Sequence, residues 1–274
     1  MAPLVLEDLA RRAIDGDRDA LDGLIRGLQA DVYALAIRML WNREDAEDAT
    51  QEILVRVITR LSQFDFRSRI KTWTYRVAVN YILDVKKSAV EQMRLTFEQF
   101  ADDLADGLSP EPSAEDTLLV EEVKIGCTLG MLQCLDRPHR LAYVLGEIFE
   151  MTGPEAADVL GVTPDLFRKR LQHAREGIES FTRSHCGLVS DTAACSCDRR
   201  VPAAMQVGRA RADALAFAQT PTSFERARRV IRQVESARQA LEVHRRAAPR
   251  GSATDFAPLV LRAIDRAWTA DGGT

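Results

Sequence analysis

The chain has 274 residues, 46% of them hydrophobic, and a formal net charge of −4. This length allows two or three modest domains with folded cores. The acidic balance argues against a protein that coats nucleic acid by bulk charge, so any DNA binding must use local basic patches or a partner. No secretory signal and no apolar run long enough to span a bilayer is present, so we expect a cytoplasmic protein without membrane insertion.

Helical periodicity dominates the sequence. Apolar residues recur at steps of three and four over residues 21–39, 53–61 and 73–85, as one buried face of an amphipathic helix requires. No convincing run alternates with the period of two that is typical of strands. The sequence therefore predicts an all-α fold.

An acidic amphipathic helix is predicted from Glu44 to Leu61. Asp48, Gln51 and Glu52 share one of its faces, at spacings of three and four residues. Such a face suits docking onto a partner helix rich in arginine. Most acidic helix faces are merely solvated, so this pattern taken alone favours a solvated face over a docking face.

The next segment combines basic and aromatic residues. Its basic residues are Arg67, Arg69, Lys71, Arg76, Lys86 and Lys87, and its aromatic residues include Phe64, Phe66, Trp73, Tyr75 and Tyr81. Aromatic rings stack on unpaired bases, which is worth roughly 1–3 kcal/mol per base, while cations follow the phosphate backbone. The alternative is that Trp73 and Tyr81 are core residues with exposed basic neighbours. We expect Trp73 to be more buried, and Phe66 with the loop from Arg67 to Lys71 to be more available.

The stretch from Leu95 to Glu115 carries several carboxylates, two prolines and no basic residue. This composition predicts a solvated acidic linker, with a short helix around Phe97 to Leu104.

A helix-turn-helix is predicted from Thr152 to Arg175. Gly161 suits a left-handed position after the first helix, and Pro164 suits the first turn of the second. Thr163 precedes that helix as an N-cap. Its buried face is expected to carry Phe167, Leu171 and Ala174, at steps of four and three. Its exposed face is expected to carry Asp165, Arg168, Lys169, Gln172, His173 and Arg175. These side chains can reach phosphates and base edges in a DNA groove. The alternative is an ordinary helical hairpin with a basic surface. The caps and the turn glycine occur together at the expected positions, so DNA binding is favoured over this alternative.

The C-terminal part contains His185, Cys186, Cys195 and Cys197 close together. Three interpretations stand: a zinc site, a thiol switch activated by neighbouring arginines, or unpaired cytosolic thiols. Cys127 and Cys134 are expected in a helical core. Farther on, Phe224, Ile231, Val234 and Leu241 form an apolar seam, and Thr222 with Glu225 predicts a capping box at the start of its helix.

These motifs resemble the extracytoplasmic-function (ECF) sigma factors of bacterial RNA polymerase, in the sigma-70 family. DAEDATQEI is similar to region 2.2, which docks on the polymerase β′ coiled coil. FRSRIKTWTYRVAVNYILDVKK is similar to regions 2.3 and 2.4, which open and read the −10 element. The segment LDRPHRLAYVLGEIFEMTGPEAADVLGVTPDLFRKRLQHARE is similar to region 4, which binds the −35 element and the β flap.

The resemblance implies roles for particular residues. Core polymerase would dock on Asp48, Gln51 and Glu52. The −10 element would be contacted by Phe66, Arg67, Arg69, Lys71, Trp73, Tyr75, Arg76, Asn80, Lys86 and Lys87. The −35 element would be contacted by Thr163, Asp165, Arg168, Lys169, Gln172, His173 and Arg175. Core RNA polymerase and promoter DNA are the implied partners, and an anti-sigma factor is a further candidate partner.

The resemblance also implies the domain organisation. Residues 1–92 correspond to the helical bundle of sigma region 2, 93–115 to the acidic linker and 116–184 to the region 4 helix-turn-helix. Residues 185–274 form a cysteine-containing helical extension, for which we expect a regulatory role.

Two other classes of function remain as alternatives. A free-standing helix-turn-helix regulator with a zinc- or thiol-responsive tail would explain residues 152–175 but leave residues 64–87 without a role. An enzyme would need a phosphate-binding glycine loop, a nucleophile motif or paired carboxylates in a supporting context. The sequence has none of these, so we assign no catalytic residue and no required cofactor.

Overall fold

The computed structural model describes residues 3–85, 92, 94–112, 117–247, 249 and 251–271. Within these ranges the chain is helical and contains no β-strand, which confirms the predicted all-α fold. The α-helices, in chain order, are α1 (Pro3–Ile14), α2 (Arg18–Leu40), α3 (Arg43–Thr59), α4 (Ile70–Asp84), α5 (Phe97–Ala105), α6 (Thr117–Gln133), α7 (Arg137–Tyr143), α8 (Gly153–Leu160), α9 (Pro164–His185), α10 (Cys197–Gln206), α11 (Phe224–Arg232), α12 (Gln239–Arg246) and α13 (Phe256–Asp271). Short 3₁₀ turns cover Leu61–Gln63 and Ser236–Arg238, and a π-helical turn covers Val144–Ile148.

The chain forms two compact units. The first contains Met1–Lys86, Pro154–Thr163 and Gly251–Thr274, and the second contains Lys87–Gly153 and Pro164–Arg250. In the described part of the chain, no helix has both the length and the apolar character needed to cross a bilayer.

The first unit is built on α2, α3 and α4. Asp17 caps α2 by accepting a hydrogen bond from the Ala20 amide at 3.0 Å, and Asn42 caps α3 by accepting one from the Asp45 amide at 2.9 Å. These caps satisfy amide groups that have no partner inside the helix. Along α2, α3 and α4, apolar residues at helical spacing are fully buried, among them Leu24, Ile25, Leu28, Ile53, Leu54, Ala78 and Ile82. Burying each large aliphatic side chain contributes about 1.5–3 kcal/mol, so this stripe is what holds the three helices together.

The C-terminal helix α13 also belongs to the first unit, where it packs against α2 and α3. Its contact face is apolar and almost completely buried, and consists of Phe256, Ala257, Val260 and Ile264. The Phe256 amide donates to Gln29 on α2, and the Ser252 hydroxyl donates to Glu47 on α3 at 2.8 Å. Ion pairs of Asp255 with Arg26 and of Asp265 with Arg18 flank the apolar contact.

The second unit is organised around α6, α7 and α9. Arg140 is 2% exposed and donates to the carbonyl groups of Leu132 and Leu135, both at 2.9 Å, which fixes the turn between α6 and α7. In the π-helical turn, Gly146 lies so close to α9 that an added Cβ would stand 3.0 Å from Leu171 and 3.1 Å from Phe167. This close packing sets the position of α9 within the unit.

Helix α5 forms where the sequence predicted a short helix in an acidic stretch. Thr96 and Gln99 make a reciprocal capping box at its start. Its rings pack on α9, with Phe100 and Phe181 stacked at 5.5 Å between centroids. Beyond the helix, the Ser109 amide donates to the Arg199 carbonyl at 3.1 Å. This part of the acidic stretch is therefore bound to the second unit rather than solvated throughout.

One acidic residue of α5, Asp103, pairs with two arginines of the C-terminal extension. Asp103 lies 3.3 Å from Arg200, which is itself 5% exposed, and it also pairs with Arg209. Arg200 donates to the Asp106 carbonyl as well. These contacts join segments about a hundred residues apart in sequence.

Farther along the extension, one buried carboxylate organises a loop. Glu122 on α6 accepts hydrogen bonds from the amides of Ala216, Phe217 and Ala218 at 2.8, 2.9 and 2.7 Å. The loop is thereby held against α6.

The predicted capping box of Thr222 and Glu225 is wrong, because Ser223 is the N-cap of α11 and accepts from the Arg226 amide at 3.2 Å. The expected apolar seam is also divided between two helices. Ile231 lies on α11, which ends at Arg232, and Leu241 lies on α12.

Candidate nucleic-acid interface

The acidic face predicted on α3 is accessible in the structure. Asp48 and Glu52 are exposed, and Gln51 is half-buried. Glu52 also accepts from Arg56 one turn farther along, at 2.9 Å. The opposite side of the helix carries buried Ile53 and Leu54, so this face is held outward by the core beneath it.

Three aromatic rings cluster at the loop before α4. Phe64 is buried and packs on Phe66 and Trp73, with ring centroids 4.5 and 5.6 Å apart. Phe66 and Trp73 are half-buried, so each keeps part of its ring at the surface. Phe66 has a φ of 58°, a left-handed backbone conformation that costs about 1 kcal/mol or more for a bulky residue. The packing of Phe66 on Phe64 compensates for this cost and presents the ring in a fixed position.

The basic side chains near these rings differ in their exposure and in their ion pairs. Arg67 and Arg69 are exposed, and the Arg67 side chain lies 3.3 Å from the carboxylate of Asp65. Lys71 pairs with Asp31 at 2.6 Å, and Arg76 pairs with Asp158 in the same unit. A solvent-open cavity of about 580 Å³ is lined by Glu7, Arg11, Arg67, Ser68, Arg69, Thr72, Glu155 and Asp158. Because carboxylates share this cavity with arginines, its charge is mixed.

Other residues predicted at this surface have different environments. Asn80 is exposed, and Lys86 and Lys87 lie outside the described residues. Tyr75 is buried, and burial raises the pKa of its hydroxyl well above the usual value. Tyr75 therefore belongs to the core of the first unit rather than to this surface. Sequence reasoning did not single out Arg11, whose guanidinium lies 4.7 Å from the centre of the Phe66 ring.

The turn predicted before the second helix has the expected geometry. Gly161 has a φ of +62°, the left-handed conformation that glycine adopts without steric cost, and α9 begins at Pro164. The Val162 amide donates to the Ala157 carbonyl at 3.0 Å and closes the end of α8. Phe167 and Ala174 are buried, as their spacing predicted.

The residues predicted to contact a −35 element are all at the surface, namely Thr163, Asp165, Arg168, Lys169, Gln172, His173 and Arg175. Gln172 donates to Glu176 at 2.9 Å, and Arg168 pairs with Asp165. No acidic residue in the described ranges lies within ion-pair distance of Lys169. Its ammonium group is therefore the most available cation on this face.

Arg175 and His173 have neighbours that sequence reasoning missed. The side chain of Arg175 donates to Glu147, whose carboxylate is largely buried. Arg245 on α12 donates to the Glu147 carbonyl at 2.8 Å, so the extension supports the same turn. The rings of His173 and His139 lie 4.7 Å apart. Arg175 is thus partly a structural residue.

The comparisons with known proteins agree with this geometry. The sigma-70 region 2 family matches residues 24–90. The RNA polymerase sigma factor CnrH of Cupriavidus metallidurans is 30% identical, over 63% of this chain and 92% of its own length. The chain belongs to the ECF sigma factors of RNA polymerase.

One further relative and one solved structure are also similar to this chain. The ECF sigma factor SigW of Bacillus subtilis is 25% identical to this sigma factor, over 66% of this chain and 98% of its own length. Among solved structures, that of CnrH in complex with the cytosolic domain of CnrY matches with a TM-score of 0.47 and 21% identity, over 64% of this chain and 96% of that chain.

Four cysteines of this sigma factor line one small cavity. Cys127, Cys186, Cys195 and Cys197 line a space of about 20 Å³ together with His185, which leaves room for about one water molecule. Cys127 was expected in a helical core, and nothing in the local pattern connected it with thiols some sixty residues later.

The predicted zinc ligands are not assembled as a metal site. No group of three or more His, Cys, Asp or Glu side chains in the described part of the chain is arranged to hold a metal ion. His185 packs its ring on Phe181 at 4.9 Å between centroids. Burial raises the pKa of Cys195 to about 12 and raises that of Cys186 as well. Because the thiolate is the reactive form, these environments favour inert thiols.

Proposed function

We propose that this sigma factor binds core RNA polymerase and directs promoter-specific initiation. In this proposal the first unit opens and reads the −10 element, and α9 in the second unit reads the −35 element. The observation that carries it is the pair of separate basic helical surfaces on a chain of net charge −4. One surface presents half-buried rings beside arginines, as an unpaired strand requires, and the other presents polar side chains along an exposed helix, as a duplex groove requires.

The docking partner follows from the acidic face of α3. Asp48, Gln51 and Glu52 would contact the coiled coil of the β′ subunit, and the region 4 segment would contact the β flap. Each DNA surface is small and partly neutralised by ion pairs, so each would bind weakly alone. Held on polymerase, both would meet promoter DNA at high effective concentration. An anti-sigma factor that covers either surface is a further partner in the proposal.

Run-off transcription with purified core polymerase on a promoter library tests the function. The wild-type protein should be captured by core enzyme and should initiate at a defined subset of templates. Asp48→Arg should lose capture because it reverses the charge of the docking face. Asp19→Arg changes another exposed carboxylate, on α2, and serves as the control that should retain capture.

The outcomes separate the candidate functions. Tight sequence-specific binding by the purified protein without polymerase would favour a free-standing regulator. Absence of both capture and initiation would refute the sigma-factor proposal for this chain.

The proposed function requires no cofactor, and the extension is proposed to regulate it. Metal analysis of the reduced protein tests the zinc interpretation, which expects stoichiometric zinc that is lost in Cys195→Ser.

A further inference from the structure

Helix α12 of the C-terminal extension packs against the helix proposed to read the −35 element. It contacts α9 and the π-helical turn at Val144–Ile148, all within the second unit. Val243 and His244 on α12 are 2% exposed, so this side of the helix is buried. The His244 ring meets the ring of Tyr143 edge-on, with centroids 5.4 Å apart. The extension is therefore anchored directly beside α9.

Arg175 on α9 is held along one edge of its guanidinium group. Its Nε donates to Glu147 Oε1 at 2.8 Å, and its Nη2 pairs with the same oxygen. The Glu147 side chain is 8% exposed, whereas that of Arg175 is 48% exposed. A guanidinium group carries five N–H donors, so these contacts leave donors for an anionic partner. A largely buried carboxylate thus fixes the direction in which the remaining donors point.

The position of Glu147 depends in turn on the extension. Arg245 Nε donates to the backbone carbonyl of Glu147 at 2.8 Å. This carbonyl lies in the last turn of a helical segment, where carbonyl groups lack a partner within the helix. A cation at this end of a helix also interacts favourably with the helix dipole. Arg245 therefore stabilises the turn that carries Glu147.

The same guanidinium group also contacts the strained residue that follows the turn. Glu150 has a φ of 55°, a left-handed conformation that is unfavourable for a residue with a Cβ. Its carboxylate lies 3.0 Å from Nη1 of Arg245. The Glu150 side chain is 67% exposed, so this ion pair alone contributes little. Together with the bond to Glu147, however, it lets one side chain bridge the two sides of the place where the chain leaves the π-helical turn.

We propose that Arg245 is a positioning residue for −35 recognition. It fixes the π-helical turn, the turn fixes the Glu147 carboxylate, and the carboxylate holds Arg175 with its outer donors directed at a DNA phosphate. The proposal rests on the sigma-factor function above and gives the extension a part in it. A side chain held in its binding conformation loses less conformational entropy when it binds. Loss of Arg245 should therefore weaken the −35 contact without removing a group that touches DNA.

The contribution of the −35 duplex can be measured with the full chain bound to core polymerase. A template that initiates in the run-off library is compared with the same template shortened so that it ends between the −35 and −10 elements. The ratio of the two holoenzyme affinities reports the −35 contribution. Arg175→Ala should lower this ratio roughly tenfold, the scale of one lost arginine contact. Arg245→Ala should lower it about threefold, within the range found for residues of one hydrogen-bond network. Affinity for the shortened template should stay unchanged.

A double-mutant cycle separates positioning from direct contact. In the Arg175→Ala background, Arg245→Ala should change the ratio by less than about twofold, because the group that it positions is already absent. Arg245→Lys keeps the charge and can make only one of the two contacts, so its ratio should lie between wild type and Arg245→Ala. It also carries the same cycle if the alanine variant does not fold. Arg246→Ala is the matched control: this neighbouring arginine is 54% exposed, pairs with Glu242 within α12, and should leave the ratio unchanged.

Each outcome bears on a definite claim. A wild-type ratio of one refutes the proposed −35 reading and is seen before any variant is made. A ratio that Arg245→Ala leaves unchanged overturns the positioning role. Additive losses in the double variant also overturn it, because Arg245 would then contact DNA itself or support the unit as a whole. An equal loss in Arg246→Ala overturns it as well, since the charge of α12 would then be the cause.

Discussion

The buried carboxylate of Glu122 provides a quantitative test of how the extension is attached. Three backbone amides, those of Ala216, Phe217 and Ala218, donate to its two oxygens at 2.7–2.9 Å, and the carboxylate is 2% exposed. Hydrogen bonds to a charged group contribute about 1.5–3 kcal/mol each, and a buried amide left without a partner costs a similar amount. The three bonds share one acceptor and are not additive, so we expect Glu122→Ala to destabilise the second unit by about 3–6 kcal/mol.

The two units can be followed separately during urea unfolding. All three tryptophans, Trp41, Trp73 and Trp268, are in the first unit, whereas far-UV circular dichroism reports helices of both. With an m-value of about 2 kcal/mol/M, a loss of 4 kcal/mol lowers the midpoint of the second unit by about 2 M urea. We therefore expect the circular dichroism curve of Glu122→Ala to show an early transition, while the fluorescence midpoint stays near that of the wild type.

Two comparisons make this test decisive. Glu111→Ala changes an exposed glutamate of the same unit and should remain within about 0.5 kcal/mol of the wild type. Glu122→Gln keeps one acceptor oxygen and should lie between the wild type and Glu122→Ala. A cost below about 1 kcal/mol for Glu122→Ala would refute the argument that this carboxylate holds the loop.

Three further predictions concern DNA contact, thiol chemistry and backbone packing. Lys169→Ala should weaken promoter complexes on all sequences alike and reduce the slope of log affinity against log salt by about 0.9, measured by titrations at several salt concentrations; an unchanged slope would contradict phosphate contact. Burial raises the pKa of all five thiols, that of Cys195 to about 12, so the native protein at pH 8 should show no fast-reacting thiol until urea is added. A raised pKa favours the protonated thiol in the folded state. The contribution of these thiols to the free energy of unfolding should therefore be complete below about pH 8.5 and should decline as the pH rises towards 12. A series of thermal melts in reductant should show this decline as a falling melting temperature. Gly187→Ala should lower the melting temperature by several degrees because its Cβ would stand 2.4 Å from the Cys195 carbonyl oxygen, whereas Gly251→Ala, with open space around it, should change it little.

Local patterns in the sequence were sufficient for the helical architecture and for the exposed face of α9. Steps of three and four predicted burial of Phe167 and Ala174, and glycine and proline marked the turn at Gly161 and Pro164. Each of these signals depends on residues within one or two helical turns. Backbone geometry relates such residues directly, so their faces can be read without knowing what packs against them.

Neighbouring residues of similar chemistry limited the precision of this reading. Thr222 and Ser223 are both good caps, and one position separates them, yet only Ser223 caps α11. Likewise, the acidic stretch around Asp103 reads as a solvated linker until its partner is known. That partner, Arg200, lies about a hundred residues farther along the chain.

The amino-acid sequence therefore determined the helices, the approximate positions of their caps and the family motifs that lie along them. Tertiary structure alone decided that Cys127 joins the later cysteines, that Glu122 holds a distant loop, and that α13 returns to α2 and α3. An apolar helix face of this kind can be buried against many others, and the sequence does not say which one it meets. The choice depends on the fit of surfaces far apart in sequence, and only the folded chain brings those surfaces together.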